Sequence, residues 1–281
     1  MIDLHTHTTA SDGRCTPAEL VTRAAAAGIR VLSVTDHDTV AGCGPAAAAC
    51  AAVGIDFVPG IEVTAVYEET DVHTLGYFID IASPPFAAFL SEQRRQRIDR
   101  AREMIDRLRG FGIVLDWRAI LQPALDDPTQ AVGRPWLARA MVSAGHVTTT
   151  NEAFDRWLAR GRPAFVPRAA AAPADVINRI HDAGGIASIA HPGLLKRDDW
   201  LPRFVGAGAD AIEAYHTDHD APTTARYTAL AGSLGVAVSG GSDYHADQSH
   251  GGVMLGGTLL PPQEYERLVR LHRAGNGRRE S

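Results

Sequence analysis

The chain has 281 residues, 45% of them hydrophobic, which is enough for one large α/β domain or two smaller ones and too apolar for global disorder. A formal net charge of −6 excludes a surface coated for non-specific binding to nucleic acid, although it leaves room for a local basic groove. Cys15, Cys43 and Cys50 form neither a C-x-x-C pair nor a zinc-ribbon spacing, and with no signal-peptide pattern and no bilayer-length apolar run they point to a reduced, cytoplasmic protein that stays off the membrane.

Strand–helix units open the chain. Ile2 to Leu4 reads as a short strand. Thr16-Pro17-Ala18-Glu19 is a helix start, with Thr16 as N-cap, Pro17 at the first helical position and Glu19 closing a capping box; Gly28 ends that helix. Val31 to Val34 is a buried strand, Pro45 to Ala52 an alanine-rich helix, Asp56 to Pro59 a strand running on into GIEVTA, and Val72 to Ile79 another strand. From Ser83 to Pro167 the pattern turns helical. SEQRRQRIDRAREMIDRLRGFG carries Ile98, Ala101, Ile105 and Leu108 at three- and four-residue steps, and further helices are expected over Arg134–Ala144 and Asn151–Ala159. The arginines of the long helix (Arg94, Arg95, Arg97, Arg100, Arg102) alternate with acids and read as a solvated, salt-paired face, the alternative being an electrostatic guide for an RNA backbone. Strand–helix alternation returns with a helix over Ala174–Ala183, strands over Gly185–Ala190 and Ala209–Tyr215, a helix over Pro222–Leu234 and a strand over Val236–Ser239; the tail from Gly275 onward reads as frayed. The expected layout is an α/β barrel or parallel sheet from residues 1–82 and 168–281, with residues 83–167 as a helical insertion over its mouth.

Polar residues just past strands line the sites of such folds. Here they are His5, His7 and Asp12 after the first strand; Asp36, His37 and Asp38 after the second; Glu62 after the third; His73 in the next; His191 at the end of a later one; and Asp243 and His245 after the last. Six histidines, two aspartates and a glutamate at strand ends imply a shared metal site, since so many titratable groups buried without a partner would be costly. Nitrogen and carboxylate ligands without thiolate suit zinc, manganese or iron. Nine ligands exceed one ion's needs, so two or three divalent cations are expected, an arrangement suited to hydrolysis through metal-activated hydroxide.

HTHTTASDG, VTDHDT, PGIEVTA, VHTLGYF, AHPG and GSDYHA, in this order, resemble the motifs of the polymerase and histidinol phosphatase (PHP) family. The resemblance implies a distorted (β/α)7 barrel. It also implies three ligand sets: His5, His7, Glu62 and Asp243; Glu62, His73 and His191; and Asp12, His37 and His245. Asp36 and Asp38 would then either orient imidazoles or serve as turn and capping residues. GRPWLARAMV and LARGRPAFVP resemble the insertion of stand-alone bacterial phosphoesterases of the family. Within it, the nearest type is the phosphatases that take the 3′-phosphate from 3′,5′-bisphosphonucleotides and the related exonucleases acting on short RNA.

The implied reaction is hydrolysis of a phosphate monoester, with Asp243 and His219 as the catalytic pair. Arg134 is the expected phosphate clamp, with His219 and Lys196 as further substrate contacts. Trp136 stands where the family segment has histidine, and it either stacks on a base or packs. His146, His181, His250 and His272 read as ordinary surface or packing histidines, and His216 as a loop histidine sooner than a substrate contact or proton donor. The alternatives are a phosphatase of the histidinol-phosphate type, an amidohydrolase (disfavoured because no lysine ends a mid-chain strand) and a non-catalytic module. The substrate is the only partner expected.

Overall fold

The computed structural model describes residues 1–246 and 253–277; His250 and residues 278–281 of the tail lie outside them. Among the described residues seven strands form one sheet in sequential order: β1 (Ile2–Asp3), β2 (Val31–Val34), β3 (Asp56–Tyr67), β4 (Thr70–Tyr77), β5 (Ile186–Ile189), β6 (Ala211–Tyr215) and β7 (Ala237–Gly240). Beyond the strand ends, Leu4 N–H donates to Gly240 O at 3.3 Å and Asp243 N–H to His5 O at 2.8 Å, so the first and last strands meet and the barrel is nearly closed. Gly241 permits that closure, because a Cβ there would sit 2.3 Å from the His5 nitrogen.

The barrel is not wholly parallel. β1–β2–β3 and β5–β6–β7 pair in parallel, but β4 runs antiparallel to both neighbours. Only Glu68 and Glu69 separate β3 from β4, both with positive φ (46° and 59°), the backbone of a two-residue hairpin turn. A parallel return needs a crossover of a dozen residues or more, so this loop length alone dictates the reversal.

Helices α1 (Pro17–Ala26) and α2 (Cys43–Val53) cover the first units, and α1 starts with the expected capping box between Thr16 and Glu19. Between β4 and β5 come α3 (Pro84–Gly110), α4 (Trp117–Asp126), α5 (Arg134–Ser143), α6 (Thr150–Ala153) running into a π turn over Phe154–Leu158, and α7 (Pro173–Asp182). Then follow α8 (Pro192–Leu195), α9 (Leu201–Gly206), α10 (Ala221–Leu234) and α11 (Pro262–Gly277). Four of these were not expected: α4, whose Pro123 breaks the helical pattern from within, the short α8 and α9, and α11, which takes in residues 275–277 of the tail read as frayed.

Three apolar clusters hold the fold. The barrel packs on α7, α9, α10 and α11 around Tyr77, Trp200 and Tyr227. α1 and α2 pack on β2 through Leu20, Val21, Leu32 and Ala46. A separate cluster runs from Ala101 to Val166 and joins α3 through the π turn without strand residues.

Candidate metal centre

At the end where the parallel strands finish, the six expected histidines and three carboxylates converge. His5 and His7, two residues apart, turn to one side; both are fully buried. Their Nε2 atoms lie 3.4 and 3.3 Å from Glu62 Oε2, and 3.3 and 3.1 Å from Asp243 Oδ1. Glu62 Oε1 faces His73 Nδ1 at 2.7 Å and His191 Nε2 at 3.0 Å, while its Oε2 faces His37 Nδ1 at 3.0 Å. Asp12 faces His245 Nε2 at 3.3 Å, His37 Nε2 at 3.8 Å and His7 Nδ1 at 3.9 Å. His73 arrives by a different route from the others. It is near the start of the reversed β4, opposite Thr64 of β3, which puts a strand beginning where its neighbours end.

Together with His216, these residues form four overlapping groups whose ligand atoms lie within 4.8 Å of one another: His7, Asp12, His37 and His245; His5, His216 and Asp243; His5, Glu62 and His191; and His37, Glu62 and His73. A direct chemical test asks whether the donor atoms are already used. Buried His5 Nε2, both nitrogens of His7, His37 Nδ1, His191 Nδ1, Glu62 Oε2 and Asp243 Oδ1 have no hydrogen-bond partner. Each such group costs about 1–3 kcal/mol if left unpaired, so seven in one place fit divalent cations as the missing partners.

The carboxylates are ionised, as ligands must be, while against burial their charges also raise His5 and, to about 10, His245, so both imidazoles would have to give up a proton to a bound cation. Burial alone would raise the pKa of Asp12, Glu62 and Asp243, but the surrounding imidazoles outweigh it and hold all three well below the carboxylate range. Burial, with the charges of His245 and His37, lowers His7 to about 3 and keeps it neutral. Backbone strain collects here as well. Asp38 (φ 51°), His191 (φ 24°) and Asp243 (φ 55°) occupy the left-handed region that non-glycine residues seldom adopt.

Several residues do work the sequence did not reveal. Glu213 is fully buried in β6; its Oε1 accepts from His5 Nδ1 at 2.9 Å and its Oε2 from the His191 backbone N–H at 2.7 Å. Asp218 N–H donates to His216 Nδ1 at 3.1 Å, which leaves the hydrogen on Nε2, 3.4 Å from Asp243 Oδ2. The orienting role expected of Asp36 and Asp38 therefore falls to Glu213 and His216. Asp36 instead holds the loop of residues 8–13, accepting from Thr8 N–H, Thr8 Oγ1 and Ser11 Oγ at 2.7 Å each. Asp38 receives Arg97 Nε, Thr64 N–H at 3.0 Å and, as an ion pair at 3.5 Å, Arg168.

A cavity of about 240 Å³, open to solvent, lies over these candidate ligands. Its floor includes Asp12, His37, Glu62 and His73, and its wall includes Arg97, Arg134 and Arg168 with Phe154. Arg134, the expected clamp, is one of these wall residues, its Nη2 3.7 Å from Asp71. The solvated helical face is corrected in part: Arg97 and Arg100 are buried and Arg94 donates to Pro128 O and Asp38 O, while Arg95 and Arg102 are exposed and Arg95 pairs with Glu92 and Asp99. Lys196 is exposed and does not line the cavity. His219 is not in the lining either. Its Nδ1 donates to Ala214 O at 2.9 Å and its Nε2 accepts from Gly193 N–H at 3.1 Å, so both nitrogens are committed and neither has a proton to give. Trp136 packs against the insertion cluster and donates its indole N–H to Ser11 O at 3.0 Å rather than offering a stacking face as its main contact.

The PHP domain family matches residues 3–149. The chain is 37% identical over 269 residues to a 3′,5′-nucleoside bisphosphate phosphatase of Chromobacterium violaceum, covering 93% of each chain. It is 36% identical over 251 residues to the 5′-3′ exoribonuclease Rnm of Salmonella typhimurium, covering 86% of this chain and 84% of that protein. Among solved structures it is similar to a Bifidobacterium adolescentis protein proposed as a metal-dependent phosphoesterase (TM-score 0.87, 28% identity, 95% of each chain). It is also similar to a Chromobacterium violaceum chain named an amidohydrolase, solved with sulfate and without metal (TM-score 0.82, 36% identity, 93% of this chain and 92% of that one).

Proposed function

The chain belongs to the PHP family of metal-dependent phosphoesterases, and from that premise we propose that it hydrolyses a nucleotide phosphate monoester, either the 3′-phosphate of a 3′,5′-bisphosphonucleotide or the end of a short RNA. One observation carries this reading: a floor of carboxylates and imidazoles and a wall of guanidinium groups share one cavity. His5, His7, Glu62 and Asp243, then Glu62, His73 and His191, then Asp12, His37 and His245 are the proposed ligand sets for two or three divalent cations, manganese, zinc or iron. When bound, such cations would lower the pKa of water and stabilise charge on the phosphoryl oxygens.

The chain's own residues do the rest. Glu213 and His216 orient His5 and Asp243. Arg134, with Arg97 and Arg168 beside it, holds phosphate oxygens in a planar fork and excludes water from one side of the ester. Residues 83–167 act as a cap over the mouth. The amidohydrolase reading lacks a part: a carboxylated-lysine bridge needs a lysine among the ligands, and Lys196, the single lysine of the chain, is exposed.

The test is phosphate release by purified, metal-loaded enzyme from a 3′,5′-bisphosphonucleotide, a 5′-phosphorylated short RNA and histidinol phosphate. The bisphosphonucleotide or the RNA is expected to turn over fastest, and Glu62→Ala and His191→Ala to abolish the reaction. Faster hydrolysis of histidinol phosphate than of either nucleotide would reject the substrate assignment. Undiminished activity in the two variants would reject the site.

A further inference from the structure

The loop of residues 8–13 brings Asp12 to His37 and His245, yet it has no helix or strand of its own to hold it. On the barrel side Asp36 grips it through Thr8 and Ser11. On the other side three successive carbonyls, Ala10 O, Ser11 O and Asp12 O, point into the insertion. They accept from Ala131 N–H at 3.1 Å, Trp136 Nε1 at 3.0 Å and Arg139 Nη1 at 3.4 Å. Trp136 and Arg139 are three residues apart on α5 and so share a helix face. The indole has one donor and no acceptor, and its ring is packed against the insertion cluster, so its N–H has a fixed direction.

We propose that Trp136 is a positioning residue for the Asp12 ligand set. By fixing the Ser11 carbonyl, with Arg139 fixing the next one, α5 keeps the Asp12 carboxylate aimed at His37 and His245. The insertion then completes a metal position whose loop the barrel alone anchors from one side only. Because α5 begins at Arg134, the same helix joins the phosphate clamp to that position. The inference rests on reading Asp12 as a metal ligand.

Calorimetric titration of Mn²⁺ into metal-stripped full-length protein separates the two. Asp12→Ala identifies the binding step that needs Asp12. Trp136→Phe keeps an aromatic ring and removes the N–H, and is expected to weaken that step by about 3- to 10-fold, the worth of one hydrogen bond, while the other steps hold. Arg139→Met is expected to act in the same direction. Wild-type titration at the Asp12 step in both variants would overturn the proposal. So would equal weakening of every step together with a lower melting temperature of the metal-free protein, which would mark a merely structural role. If Asp12→Ala itself titrates like wild type, it is the ligand reading of Asp12 that falls.

Discussion

Replacing Glu213 by glutamine should weaken metal binding without disturbing the fold, because the amide cannot do both of the carboxylate's tasks. Glu213 accepts two hydrogens, one from His5 Nδ1 at 2.9 Å and one from the His191 backbone at 2.7 Å. Glutamine has the same shape but only one oxygen. With that oxygen on the His191 N–H, the amide hydrogens meet His5 Nδ1–H. Relief comes only if the His5 proton moves to Nε2, which removes the lone pair facing Glu62 and Asp243. In the flipped orientation the His191 N–H is left buried and unpaired. Either outcome costs about 1–3 kcal/mol, or roughly 5- to 150-fold in an equilibrium constant. Residues that orient metal-bound histidines lose about 10- to 100-fold when changed, which agrees. Titration of Mn²⁺ into metal-stripped Glu213→Gln should therefore show at least one step weakened about 10- to 100-fold, with the far-ultraviolet circular dichroism unchanged. Affinities within threefold of wild type would refute the reasoning.

Two other consequences concern the scaffold. Arg97→Met strips Asp38 of its main cation, along with bonds from Arg97 to Val132 O and Thr64 Oγ1. Breaking a buried pair costs about 3–5 kcal/mol, and because Arg168 remains 3.5 Å from Asp38 the loss should lie near 3 kcal/mol in urea unfolding of the metal-free protein. Burial pushes the Cys43 and Cys50 thiols up to about 12 and about 11 and raises Cys15 as well. The folded protein should accordingly give no thiol reaction with a disulfide reagent at pH 8 and three equivalents once unfolded. The raised values also mean that the unfolded chain loses these protons first, so stability should decline as pH rises past about 8.5.

The candidate ligands were legible because strand ends concentrate polar residues, and a His or carboxylate at nearly every strand end makes chemical sense only where the groups share a partner. Glu213 was legible in principle: it is the one charged residue inside AIEAY, and a charge inside an apolar strand must face a partner. Arg97 and Arg100 were misread because alternation of charge along α3 outweighed position on the helix. Phe86, Leu90, Gln93, Arg97, Arg100, Met104 and Leu108 recur at three- and four-residue steps and make the buried stripe. The tautomer of His216 could not be read at all, since it depends on the Asp218 backbone turning back on the ring.

The reversed β4 explains why that stripe carries arginines. A strand running against its neighbours leaves the barrel at the end away from the ligands, and there Asp80 N–H donates to Ala183 O, just before β5 begins. Any segment inserted between β4 and β5 therefore starts on the wrong side of the barrel for substrate. α3, at 27 residues, is about 40 Å long and spans that height in one element. Its first turns bury Phe86 and Leu90 in the barrel core, its middle reaches Thr64 through Gln93 and Asp38 through Arg97, and its last turns belong to the insertion cluster. The Arg97 level coincides with the Thr64–His73 pair, the rim of the ligand floor. α7 then makes the return journey, from Ala171 beside Val66 to Asp182. The two-residue turn that reverses β4 thus has two effects at the site: it sets His73 among the candidate ligands and obliges the chain to climb back past them on a helix, from which buried Arg97 reaches the cavity wall.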